Sequence, residues 1–106
     1  MQMNIKEKNW NAVGLSGIHC AISSCDAILA QLFGIRHTSP DHKASADLLR
    51  SKVQTAESKK NSERLKRILE KKNLNEYLSR SFTQEDANNI HRDVERFYTW
   101  TREILN

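Results

Sequence analysis

The chain has 106 residues, which is enough for one domain with a single core and too few for two. Hydrophobic residues make up 38% and charged residues 28%, an ordinary globular balance, and three glycines and one proline are too few for the turns of a β-rich fold. A net charge of +4 permits contact with a polyanion but does not require it.

The first predicted helix runs from about Ala12 to Phe33 and is the centre of the fold. Its apolar residues recur at spacings of three and four, which is typical of a helix packed against other helices: Leu15, Ile18, Ile22, Cys25, Leu29 and Leu32. Gly34 is a natural end for this helix, and residues 1–9 are either a frayed lead-in or its start. One hypothesis is that a face of small residues forms a homodimer contact: Gly17, Ala21 and Ser24.

A second helix is predicted after a short loop. Ser39 as the N-cap and Pro40 at the first helical position indicate its start, and it extends to about Thr55. Its inward stripe contains Ala46, Leu49 and Val53. Extending that stripe back by one turn reaches His42, so we expect His42 to face the bundle.

The segment from Glu57 to Lys72 is rich in lysine and arginine. A narrow apolar stripe predicts a third helix from about Ser62, with a short extra helix or turn before the fourth. The basic face is either a solvated helix surface or a surface that contacts RNA phosphates. The candidate RNA-binding residues are Lys59, Lys60, Arg64, Arg67 and Lys71.

The fourth helix opens at Thr83 with a near capping box, in which Asp86 takes the place of the usual glutamate or glutamine. Its apolar stripe then steps by three and four: Ala87, Ile90, Val94, Phe97, Thr101 and Ile104. Four helices joined by short loops predict an all-α, up-and-down four-helix bundle that forms a single domain over residues 1–106.

Three residues could carry chemistry on nucleic acid. A histidine can transfer a proton near neutral pH, and an arginine can stabilise charge on a phosphate, so Arg36 and His42 together suit phosphodiester cleavage. Alternatively, Arg36 is a surface loop residue and His42 is bonded to the backbone at a helix start. Asp26 is a carboxylate on a nearly uncharged helix, and it either supports this pair, makes a structural hydrogen bond or lies at an edge open to water.

No metal site or cofactor site is predicted. His19, Cys20, Cys25 and Asp26 lie on one helix without converging, and no second ligand cluster accompanies them. Cys20 and Cys25 point about 140° apart around that helix, which argues against a disulfide between them, and buried thiols fit a reducing compartment. Neither a signal peptide nor a wholly apolar membrane span is visible, so we expect a cytoplasmic protein without a membrane partner.

The sequence resembles the HEPN superfamily, in particular small bacterial members. The resemblance is carried by the stretch from Asn11 through Asp26-Ala-Ile-Leu, by Gly34-Ile-Arg-His-Thr-Ser-Pro-Asp-His-Lys, and by Phe82-Thr-Gln-Glu-Asp-Ala. It spans roughly Asn11 to Leu105.

The resemblance implies a helical bundle that forms a homodimer and has RNA as its typical partner. Active members carry an arginine, a polar residue and then a histidine, with two copies meeting in a cleft; Arg36, His37 and His42 match that pattern, with Asp26 as a supporting acid. The implied function is metal-independent RNA cleavage by a toxin or defence component, with a cognate antitoxin or nucleotidyltransferase as the protein partner. The alternative is a non-catalytic dimer that binds RNA, nucleotide or another protein.

Overall fold

The structure, a computed structural model, describes residues 2–36, 41–77 and 82–106. These residues form four α-helices and no strand: α1 (Gln2–Phe33), α2 (His42–Lys52), α3 (Ala56–Tyr77) and α4 (Gln84–Leu105). The all-α four-helix bundle predicted from the sequence is therefore confirmed. The predicted extra helix or turn before α4 falls largely on residues 78–81, which lie outside the described residues.

The core lies between α1 and α4, the two helices that make the largest contact, and α2 and α3 cover its remaining sides. Ile18, Ile28 and Leu29 on α1 and Phe97 on α4 have no exposed surface. The rings of Phe97 and Trp100 pack against each other with their centroids 5.9 Å apart. Burial of these large side chains is the main favourable contribution to folding.

The buried face of α1 is rotated about the helix axis relative to the face that the apolar spacing predicts. Leu32 is 46% exposed, whereas Ala21, expected on the flank, is fully buried. The predicted homodimer contact on small residues is wrong, because this face is covered within the chain itself: Ala21 and Ser24 are buried, and a Cβ atom at Gly17 would lie 3.3 Å from Ile90. Gly17 lets α4 approach α1 closely, and Ala21 and Ser24 have little surface left for a second copy.

The start of α2 differs from the prediction. The helix begins at His42, and the side chain of Asp41 caps it by accepting hydrogen bonds from the backbone N–H groups of Lys43 and Ala44, at 3.0 and 3.4 Å. The predicted Ser39 cap and Pro40 start lie outside the described residues. The aspartate, one residue before His42, supplies the capping oxygen that the prediction assigned to a serine.

Both ends of α1 and the start of α3 refine the predicted boundaries. Backbone helix extends to Gln2, so residues 2–9 belong to the first helix, and Gly34 ends it with a φ of +64°, as predicted. Helix α2 ends at Lys52 rather than at about Thr55. Helix α3 begins at Ala56 rather than at about Ser62. The prediction missed its first turns because the side chains buried there are polar and produce no apolar pattern: Ser58, Asn61 and Ser62.

The start of α4 is held in two ways. The predicted capping box is confirmed: the Thr83 hydroxyl accepts from the Asp86 N–H at 3.1 Å, and the Asp86 carboxylate accepts from the Thr83 N–H at 3.1 Å. Just before it, the Phe82 N–H donates to the Asn11 side-chain oxygen at 3.2 Å, and the Phe82 ring lies directly over Gly14. The predicted apolar stripe of α4 is buried from Ala87 to Thr101, with Ile104 half-buried.

Among the residues that the structure describes, one segment, Trp10–Phe33, is long and apolar enough to cross a membrane by length and composition alone. Core helices of bundle proteins meet the same criteria. In this chain the segment is the helix that supplies the most fully buried apolar side chains to the bundle.

Candidate functional site

Helices α3 and α4 form a depression between them with a volume of about 610 Å³. We call it the arginine groove and define it by its lining residues: Glu57, Asn61, Arg64, Arg92, Glu95, Arg96, Thr99, Trp100 and Glu103. A second depression of about 170 Å³ adjoins it, since Arg92 lines both, and it is otherwise lined by Arg67, Ile68, Lys71, Asn89, Ile90 and Asp93. Three of the five side chains that the sequence predicts to contact RNA line these two depressions: Arg64, Arg67 and Lys71.

Arg64 is held in place by a buried amide. Its Nη1 donates to Oδ1 of Asn61 at 2.9 Å, and the Asn61 side chain is itself fixed because its Nδ2 donates to the Glu57 carbonyl oxygen at 2.7 Å. Asn61 is only 1% exposed, so it has little freedom to move. A guanidinium has five N–H donors, so one bond to Asn61 positions the group and leaves other donors available for a ligand.

Arg92 and Arg96 lie one turn apart on α4, both exposed, and both line the groove. Within the described part of the chain, neither of them forms an ion pair, and Arg64 bonds to an amide rather than to a carboxylate. Three guanidinium groups therefore share one depression without a carboxylate bonded to any of them. A planar guanidinium suits bidentate binding of phosphate oxygens.

Three of the other predicted RNA-binding residues have acidic partners. Lys60 pairs with Glu57 at 3.7 Å, Arg67 with Asp93 at 3.5 Å, and Lys71 with Asp86 at 3.5 Å. Lys59 is exposed and lies outside both depressions. Ion pairs at the surface are weak, so an RNA phosphate could replace the carboxylate, but these side chains are partly neutralised in the free protein.

Arg92 and Arg96 were not singled out from the sequence. The prediction for α4 depends on its apolar stripe. The polar side of the helix carries acidic and basic residues in similar numbers, so it does not stand out as a basic surface. The signal that could have found them is their spacing of four residues, which places both guanidinium groups on one side of the helix. Which neighbour that side meets depends on how α4 packs against α3.

Asp26 and His42, two of the three predicted catalytic residues, line the same crevice where α1, α2 and α3 meet. Leu65 and Leu69 of α3 complete its apolar side, so His42 faces the bundle as predicted. The crevice is too narrow for a water molecule. Asp26 is exposed, at an edge open to water, which is one of the alternatives that the sequence left open.

Arg36, the third predicted catalytic residue, is exposed just after Gly34 and is not among the described residues that line this crevice. His37, the supporting histidine, lies outside the described residues. The structure thus brings Asp26 and His42 to one crevice of the chain, whereas Arg36 is exposed and does not line it.

The thiol of Cys25 lies at the buried side of the same crevice and forms a long contact, 3.8 Å, with the Ser45 carbonyl oxygen. Burial, with a smaller contribution from the nearby Asp26 carboxylate, raises its pKa to about 12. Cys25 is thus protonated at neutral pH and unsuited to act as a nucleophile. Cys20 and Cys25 are both free thiols.

No three histidine, cysteine, aspartate or glutamate side chains in the described ranges approach one another closely enough to hold a metal ion. His19 is exposed on α1 while Cys25 is buried, so these two members of the sequence cluster lie in different surroundings.

Comparison with known proteins adds no relative: no protein-family model, no curated protein and no solved structure matches this chain. The HEPN resemblance stays a prediction that depends on the sequence motifs.

Proposed function

We propose that this chain is a HEPN-like protein that binds RNA and that the arginine groove contacts the RNA phosphates. The observation that carries the proposal is the presence of Arg64, Arg92 and Arg96 in one depression, with none of them bonded to a carboxylate of the described residues. Asn61 keeps Arg64 oriented, so little conformational freedom is lost when that group binds. The net charge of +4 adds a general attraction for polyanions.

The test compares two double variants that remove the same charge. R92Q/R96Q removes the two groove arginines of α4, and R50Q/R102Q removes two exposed arginines outside the groove. We expect R92Q/R96Q to bind a single-stranded RNA at least about tenfold more weakly, and the slope of log affinity against log salt to fall by about one for each lost phosphate contact. Equal losses in both variants would contradict the assignment of the groove.

A second candidate function is metal-independent RNA cleavage, and the observation in its favour is the shared crevice of Asp26 and His42. The imidazole of His42, beside Asp26 in the crevice, would accept the proton of the ribose 2′-hydroxyl as that oxygen attacks the adjacent phosphorus, and the departing 5′-oxygen would take up a proton from water. Arg36 would stabilise charge on the phosphate. Because the crevice of one chain admits no water molecule, the reaction needs a cleft formed with a second copy.

The cleavage assay uses RNA in EDTA with the wild type, R36A, H42A and H91A. His91 is an exposed histidine on α4, so H91A controls for loss of an imidazole elsewhere. We expect R36A and H42A to lose activity and H91A to keep it. The same cleavage in all four proteins would indicate a contaminating nuclease and exclude this candidate.

A homodimer belongs to the same proposal. Leu32 and Phe33 are 46% and 38% exposed at the end of α1, immediately before the segment that carries Arg36. A second copy packed there would bring two Arg36 side chains close together, and L32S/F33S should then sediment as a monomer where the wild type sediments as a dimer. The HEPN resemblance supports the proposal of an antitoxin or nucleotidyltransferase as the protein partner. The free thiols support the proposal of a cytoplasmic location.

A further inference from the structure

We infer that the arginine groove selects a terminal phosphate monoester rather than the internal phosphodiesters of an RNA chain. This inference rests on the proposed RNA-binding function and specifies what the same site recognises. It follows from the distribution of charge in the groove and from the position of Trp100.

The positive side of the groove suits a compact dianion. Arg92 and Arg96 are separated by one helical turn, about 6 Å along the axis, and Arg64 faces them from α3. An internal phosphodiester carries one negative charge, whereas a phosphate monoester carries about −1.5 to −2 at pH 7 and has three acceptor oxygens. Three guanidinium groups in one depression match the monoester in both charge and number of acceptors.

The negative side of the groove disfavours a continuing backbone. Glu57, Glu95 and Glu103 line the same depression as the three arginines. Glu57 has Lys60 as a partner. Among the described residues Glu95 pairs only with His91, at 3.6 Å, and that contact is an ion pair only when the histidine is protonated. A strand that ran along the whole groove would bring further phosphates against these carboxylates, whereas a strand end places a single phosphate there.

Trp100 does not offer a stacking surface. The residue is only 6% exposed and its ring packs against Phe97, so little of the ring is open to the groove. Stacking of a base needs an open aromatic face. Recognition in this groove therefore depends on phosphate and is independent of base identity.

The experiment measures binding of three RNA decamers of one sequence, bearing a 5′-phosphate, a 3′-phosphate or two hydroxyl ends, with AMP and inorganic phosphate as competitors. We expect at least one phosphorylated decamer to bind about tenfold or more tightly than the hydroxyl-ended one, with no change when the terminal base is replaced. R96Q should abolish the difference and R50Q should preserve it. Melting followed by circular dichroism verifies that both variants fold.

The outcomes separate the inference from the proposed function. Equal, salt-dependent affinity for all three decamers contradicts the inference and leaves RNA binding in place. Direct binding of AMP, titrated alone, without binding of any decamer supports a monoester site for a free nucleotide and overturns RNA as its source. Failure of every probe to bind overturns both.

Discussion

Replacing Gly14 by alanine tests how closely α1 packs against the residue that precedes α4. A Cβ atom at this position would lie 2.4 Å from Cδ2 and 2.7 Å from Cε2 of Phe82, far inside van der Waals contact. Alanine in a helix interior gains about 1 kcal/mol over glycine, while overpacking a buried site costs about 1–3 kcal/mol. Phe82 is 6% exposed and its N–H is bonded to Asn11, so the ring has little room to withdraw.

We therefore expect G14A to lower the free energy of unfolding by up to about 2 kcal/mol, measured by urea denaturation. G17A is the matched control, because a Cβ there would lie 3.3 Å from Ile90 and 3.4 Å from Val94, which requires only a small adjustment. In a protein that already carries F82L, the shorter side chain should make G14A less harmful. The packing described for Phe82 would be refuted if G14A stabilised the wild type as much as G17A does.

Three further predictions concern titration, thiol chemistry and the core. Hydrogen bonds from Thr83, with help from Lys71, lower the pKa of Asp86. The stabilising effect of this carboxylate is therefore present above the unfolded pKa of about 3.9 and disappears as the pH falls through the lower folded value. In urea titrations the free energies of unfolding of the wild type and D86N should converge in acid, and a constant difference between them would contradict this. With a pKa of about 12, Cys25 has only about one thiolate in ten thousand at pH 8, so alkylation followed by mass spectrometry should modify it only on unfolding, and rapid labelling of the native protein would contradict its burial. The Ser62 hydroxyl is buried and has no hydrogen-bond partner among the described residues, so S62A should raise the free energy of unfolding by about 0.5–1 kcal/mol, and a loss measured by urea denaturation would indicate a partner for the hydroxyl.

The fold was predictable where apolar periodicity and capping chemistry coincide. Helix α4 is the clearest case: Thr83 and Asp86 mark its start, and the spacing of its apolar residues identifies the face that is buried. Helix α3 shows where this prediction fails. Asn61 and Ser62 are buried as fully as its core leucines, and a hydrophobicity pattern does not identify buried polar residues. The same applies to α1, whose nearly uniform apolar surface does not indicate which side meets α4.

The candidate site was predictable only in part, because it combines side chains from different helices. Arg64 was identified within the basic run, but its partner Asn61 and the opposing Arg92 and Arg96 depend on the packing of α3 against α4. Support of His42 by Asp26 was one of the alternatives that the sequence left open, and the two residues do line one crevice. The position of Arg36 relative to them depends on the path of the segment between α1 and α2, which local sequence does not determine.

The polar side chains at the start of α3 have a consequence for how the molecule opens. Ser58, Asn61 and Ser62 contribute little hydrophobic free energy where a leucine would contribute about 1.5–3 kcal/mol. The packing of the first turns of α3 against the bundle is therefore less stable than the packing of α1 against α4. Their amides should exchange with deuterium through partial openings, well before those around Ile28 and Phe97, which exchange only on global unfolding. Arg64 belongs to this less stable part of α3. A ligand bound in the arginine groove should therefore slow deuterium uptake in the first turns of α3 and leave the slowest-exchanging amides unchanged.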